Sequence, residues 1–316
     1  MILTDYFYPE HDISWDYAKA CGVGHGVLRL PEEPGFDVTS LSHWRTVTDR
    51  LAAFGIPPVV IEPLPNSLHN HIKLGDGLRD ECIGKTIRML EVMDRLDIRT
   101  LCFNFMAEIG WTRTDDSIPE RGNATVTGFD RKDFVPAGAE ITEERLWDNY
   151  AYFVRAVVPY AEKYGIRLAL HPDDPPISPL GRVGRIMTSY DHVRRALDTV
   201  PSECLGVTMC QATYYLMGED LFSVIPRLKD KIFFIHFRNV TGNKYRFRET
   251  FHDNGDLPMG RLIRLYQELG LNVPIRVDHV PTMPGERSGR PSGYEAAGRL
   301  FAIGYLKGLL EQVQPN

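Results

Sequence analysis

Eight short apolar runs, each followed by a stretch with helical periodicity, constrain this chain more than any other feature. The runs cover residues 2–7, 26–30, 58–62, 100–105, 167–171, 205–210, 231–237 and 274–278, and amphipathic segments such as LSHWRTVTDRLAAFG and TEERLWDNYAYFVRAVVPYAEKYG lie between them. Runs this short with little polar alternation read as strands buried on both faces, and consecutive parallel strands need a helical crossover. Eight strand-helix units in 316 residues match the length and order of a single (β/α)8 TIM barrel spanning 1–316. A doubly wound sheet is the competing architecture, but no glycine-rich phosphate fingerprint follows the first run.

A closed parallel barrel brings the C-terminal ends of its strands to one mouth. Four late runs end there in metal-capable side chains: His171 in RLALHPDD, Cys210 in LGVTMCQ, His236 in KIFFIHFRN and Asp278 in PIRVDHVP. Two imidazoles, a thiolate and a carboxylate form a ligand set for a divalent transition metal with positions left for substrate. Cys210 alone would read as a buried inert thiol, and its partners change that reading. Asp278, on a buried strand, needs a cation or a strong hydrogen-bond partner, for which Arg276 is the structural alternative. The longest irregular stretch, 107–140, follows the fourth run and reads as an active-site lid. Within it, Trp111, Arg113 and Asp115 either close on a charged substrate or tie the loop down.

A net charge of -6 and a pI of about 5.9 leave no basic footprint for nucleic acid. No apolar run reaches membrane-spanning length, and the five cysteines are scattered and odd in number, as in a reducing compartment. The expectation is a cytoplasmic protein with no nucleic-acid or membrane partner; a homo-oligomer is left open.

The motifs LALHPDDPP, GVTMCQ, FIHFRNV, FHDNGD, PIRVDHVPTMPGE and GRLFAIGYLKGLL, in this order, resemble the mannonate dehydratase family. The match runs from about Arg167 to the C-terminus, with weaker echoes in WTRTD and IEPLP. The resemblance implies a xylose-isomerase-like TIM barrel holding Mn2+ or Fe2+ at His171, Cys210, His236 and Asp278. It further implies dehydration of D-mannonate to 2-keto-3-deoxy-D-gluconate in hexuronate breakdown, with His279 and Tyr294 as the acid-base pair. Arg113, Arg238 and Arg276 are candidates for the substrate carboxylate, since guanidinium forms a bidentate fork suited to it. Of these, Arg238 stands out because strand alternation puts it on the same side as His236. His252 and Asp253 would reach the metal or the sugar hydroxyls, and Asp173 is a reserve proton-transfer group. The chain reads FHDNGDLPM and CQAT where the family pattern is FHDDGDM with a glycine after CQ, so Ala212, Asn254 and Pro258 bear on the substrate pocket. Three alternatives stay open: a dehydratase for another aldonate epimer, a xylose-isomerase-like isomerase or epimerase, and a catalytically silent sugar-acid binder.

Overall fold

The computed structural model describes residues 1–136, 138–286 and 290–313. Twelve strands lie along it: β1 Ile2–Phe7, β2 His25–Leu28, β3 Pro58–Ile61, β4 Thr100–Asn104, β5 Asp115–Pro119, β6 Thr125–Asp130, β7 Arg167–His171, β8 Leu205–Cys210, β9 Ile232–Phe237, β10 Val240–Asn243, β11 Arg246–Glu249 and β12 Pro274–Val277. Eight of them close a parallel barrel in the order β1-β12-β9-β8-β7-β4-β3-β2. These are the eight runs of the sequence, with ends within about two residues of the expected ones.

One small cluster, including Tyr6, Val27, Val60, Cys102, Ala169 and Phe234, draws residues from six of the eight barrel strands and fills the interior. A larger one packs the strands' other faces against the helices, which is why both faces of each run had to be apolar. The helices start where polar side chains can satisfy their free N–H groups: Asp12, Ser40, Thr142, Ser189 and Asp220 each accept a backbone hydrogen bond from their own first turn. Two helices were not anticipated, Asn66–Leu74 and Gln211–Met217. Both begin without a capping side-chain hydrogen bond. No described helix is long and apolar enough to cross a membrane.

The stretch 107–140 departs from the irregular loop expected of it. It supplies β5 and β6, which join the hairpin β10–β11 in an antiparallel sheet ordered β10-β11-β6-β5. Phe129 of β6 stacks on Phe247 of β11 with ring centroids 5.9 Å apart. The insertion after the fourth barrel strand is thus anchored to the loop after the seventh, β9, and the two together stand beside the barrel mouth.

Candidate active site

Four neighbouring staves, β7, β8, β9 and β12, carry the four side chains that the barrel geometry predicted would meet. Cys210 and His236 are direct register partners across β8 and β9. His171 Nε2 lies 3.2 Å from His236 Nδ1, and one ligand atom from each of His171, Cys210 and His236 falls within 4.8 Å of the others. Asp278 Oδ2 is 3.5 Å from the same His236 Nδ1. The outer nitrogens have partners of their own: His171 Nδ1 donates to the Pro172 carbonyl at 2.6 Å, and His236 Nε2 sits 3.0 Å from Glu62 Oε1. Each neutral ring therefore turns a lone pair toward the other, a repulsive pairing unless a proton or a cation lies between them.

The protonation states point the same way. Burial alone would raise the Cys210 thiol, but the charge of Arg238 and contacts with His171 and His236 hold it well below the ordinary thiol range. Asp278 is likewise held far below the carboxylate range, with His279, Arg276 and His236 overcoming its burial. His236, despite burial and Arg276, is pushed up to about 10 by the Glu62 and Asp278 carboxylates. A thiolate, a carboxylate and two imidazoles at these separations fit a divalent cation bonded at about 2.0–2.3 Å. Cys102 belongs to a second group with Glu62 and His236, but its thiol is raised well above the ordinary range, chiefly by burial. It is a poor ligand beside Cys210.

His279 and Tyr294 flank this cluster. Tyr294 Oη lies 3.3 Å from His279 Nε2, and its phenol is raised well above the ordinary range by burial and the Asp278 charge, so it stays protonated. His279 has φ 37°, an unusual left-handed conformation for a non-glycine residue. Its Nδ1 is 3.0 Å from Glu249 Oε1 and in contact with Arg238 Nη1. Trp111 covers the pair, its ring centroid 4.8 Å from His279 and edge-on to Tyr294 at 6.1 Å. A cavity of about 370 Å³, within the range of small-molecule sites, is lined by His171, His236, Asp278, His279, Tyr294 and Trp111 among others.

The guanidinium groups all meet carboxylates of the chain itself, and for Arg276 this is the structural pairing with Asp278 that the sequence left open. Arg113 forks onto Asp174 at 2.9 and 3.0 Å and reaches Glu249 at 2.5 Å. Arg238, fully buried, contacts Asp174 at 2.8 Å and Glu249 at 3.3 Å. Neither lines the cavity. Arg276 does line it, but forks onto Glu62 at 2.8 and 2.9 Å and reaches Asp278 Oδ1 at 2.8 Å, where it orients a cluster carboxylate. Asp173 faces away, accepting from the Met187 N–H at 2.8 Å beside Arg185, and its neighbour Asp174 is the carboxylate that reaches the cavity. His252 is buried against the Phe237 carbonyl at 2.8 Å, and Asp253 pairs with Arg121 at 2.5 Å; neither lines the cavity. Sequence reasoning passed over Glu62 as a partner of His236, and over Asp174 and Glu249 altogether.

The D-mannonate dehydratase (UxuA) family model matches residues 2–138 and 132–316. A mannonate dehydratase of Streptococcus agalactiae serotype III (strain NEM316) is 32% identical over 320 residues, covering 91% of this chain and 90% of that protein. The crystal structure of mannonate dehydratase from Streptococcus suis serotype2 superposes with a TM-score of 0.89 at 29% identity, over 99% of this chain and 93% of that one. A xylose isomerase domain protein from Planctomyces limnophilus, at TM-score 0.65 and 12% identity, shares the fold. A family model spanning the described barrel, with a relative this similar over nine-tenths of both chains, decides the assignment: this chain belongs to the mannonate dehydratase family of hydro-lyases.

Proposed function

We propose that this chain removes water from D-mannonate to give 2-keto-3-deoxy-D-gluconate, with Mn2+ or Fe2+ held by His171, Cys210, His236 and Asp278. The observation that carries the reading is the His279–Tyr294 pair, 3.3 Å apart, directly beside that donor set in one cavity. When bound, the cation would stabilise the negative charge that develops at the substrate carboxylate as the C2 proton leaves.

The chain's own groups supply the proton transfers. With Nδ1–H directed at the Glu249 carboxylate, His279 presents a lone pair at Nε2 and takes the C2 proton. Glu249 stays ionised because Arg238, Arg113 and His279 overcome its burial. Tyr294, held protonated, gives its phenolic proton to the departing C3 hydroxyl, which leaves as water. The resulting enol becomes the 2-keto acid, and the proton on His279 Nε2 returns to the Tyr294 oxygen across the same short gap. Trp111 shields the face of His279 from water, and the segment 107–140 serves as the lid that closes over bound substrate. This reading places the reaction in hexuronate catabolism in the cytoplasm, within a single barrel domain.

Incubating the Mn2+-loaded protein with a panel of aldonates and a carbonyl-specific assay tests the substrate. The keto acid should form fastest from D-mannonate. Product from a different epimer alone would move the assignment, and aldose-ketose interconversion without loss of water would favour an isomerase.

A further inference from the structure

The guanidinium groups in and behind the cavity wall are already matched by carboxylates: Arg113 and Arg238 by Asp174 and Glu249, Arg276 by Glu62 and Asp278, and Arg29 by Glu32. One buried cation on the cavity wall is not. Lys73 is 2% exposed and lines the cavity, yet among the described residues no carboxylate lies within ion-pairing distance and no hydrogen-bond partner holds its ammonium. A buried charge without a partner is costly, and proteins retain one mainly where a ligand completes it.

Its placement is specific. Lys73 stands on the helix Asn66–Leu74 one turn from Asn70, which is one turn from Asn66, and this spacing puts all three on one helix face. All three line the same cavity as the cation cluster. The cluster carboxylates Glu62 and Asp278 pair with His236, Arg276, Arg238 and His279 and not with Lys73, so its ammonium stands apart from the thiolate-imidazole cluster. Burial holds that ammonium down to about 7, and an anion beside it would restore its charge.

We propose that Asn66, Asn70 and Lys73 form a distal subsite that grips the far end of an open-chain sugar acid and prefers an anionic terminus there, so that a hexarate binds more tightly than the matching aldonate. This rests on the reading above, in which C1 to C3 occupy the cation end. The two amides offer donors and acceptors to the C4 and C5 hydroxyls, and the ammonium offers a charge-assisted bond to a C6 carboxylate. The same enzyme would then dehydrate an aldarate, with the C2–H and C3–OH bonds breaking as in the aldonate.

Calorimetric titration of the Mn2+-loaded protein with D-mannonate and with D-mannarate, which has the same configuration at C2 to C5, tests this. D-mannarate should bind about tenfold more tightly. Lys73→Met should erase that preference, weakening D-mannarate about tenfold and D-mannonate less than about threefold, with metal content unchanged. Equal affinities in the wild type, or equal weakening of both ligands in the variant, would overturn the subsite. Should Lys73→Met fail to fold by thermal unfolding, the wild-type ratio decides alone. Turnover of D-mannonate is read separately: a D-mannarate preference without any dehydration supports the subsite and sinks the reaction, and dehydration without the preference sinks only the subsite.

Discussion

Two cysteines inside one barrel show how placement decides chemistry. Cys210 ends β8 opposite His236, where Arg238 and the imidazoles favour its thiolate, whereas Cys102 sits deeper in the barrel against the Thr208 hydroxyl at 3.2 Å and keeps its proton. Cys210→Ser should therefore strip most bound metal and Cys102→Ser should leave it in place, as metal analysis of the purified variants would show; equal losses would contradict the ligand set. His279→Asn and Tyr294→Phe should do the reverse, lowering kcat about a hundredfold to ten-thousandfold with metal content intact. Solvent-deuterium exchange at C2 then divides the pair, since the His279 variant should lose exchange and the Tyr294 variant should keep it. The strand-end residues were legible because barrel closure dictates where they go. Partner choice among the charged residues was not: Asp173 and Asp174 are adjacent, and only the fold reveals that one turns to Met187 and the other to Arg113 and Arg238. The Asn66, Asn70, Lys73 spacing was there to be read, but without a recognised helix it carried no meaning.

Among elements, the four-stranded sheet beside the mouth links the insertion after β4 to the proposed proton-transfer pair. β11 delivers Glu249 to His279, and β6 holds β11 in register through Phe247↔Phe129. The sequence hid this sheet for two physical reasons. β5, DDSIP, is an almost wholly exposed edge strand with no apolar alternation, and β6 pairs with β11 more than a hundred residues later, so no local turn announces the pairing. The barrel strands, by contrast, carry their burial in composition. Phe247→Ala should remove a buried aromatic contact worth about 3–5 kcal/mol and loosen this sheet while the barrel persists. Hydrogen exchange should rise in 115–130 and 240–249 with far-UV dichroism nearly unchanged, and turnover should fall as Glu249 loses its hold. Global unfolding at the same temperature as the local change would show that the sheet and barrel are one cooperative unit instead.

For the whole molecule, the barrel buries a dense set of ions around its mouth, and stability should depend on pH accordingly. In Glu62, Asp174, Glu249 and Asp278 burial is outweighed by arginine and histidine neighbours, and all four are held below the ordinary carboxylate range. Their contribution is complete above about pH 4, where unfolded carboxylates ionise, and is lost as pH falls through the lower folded values. Asp5 and Asp173, raised chiefly by burial, run the other way and blunt this acid loss. His236 gives the opposite limb: raised to about 10 without a cation, it stabilises below its ordinary value and loses that contribution as pH rises toward 10. Denaturant unfolding across pH should show this alkaline loss in cation-free protein and its disappearance with Mn2+, which displaces the proton; identical alkaline limbs would contradict the His236 placement. The most direct test of the account follows dehydration of D-mannonate by protein stripped with chelator and then given Mn2+ or Fe2+, with Cys210→Ser treated alongside. Activity should vanish on stripping, return with either cation in the wild type and stay largely absent in the variant; full turnover in metal-free protein, or equal recovery in Cys210→Ser, would contradict it.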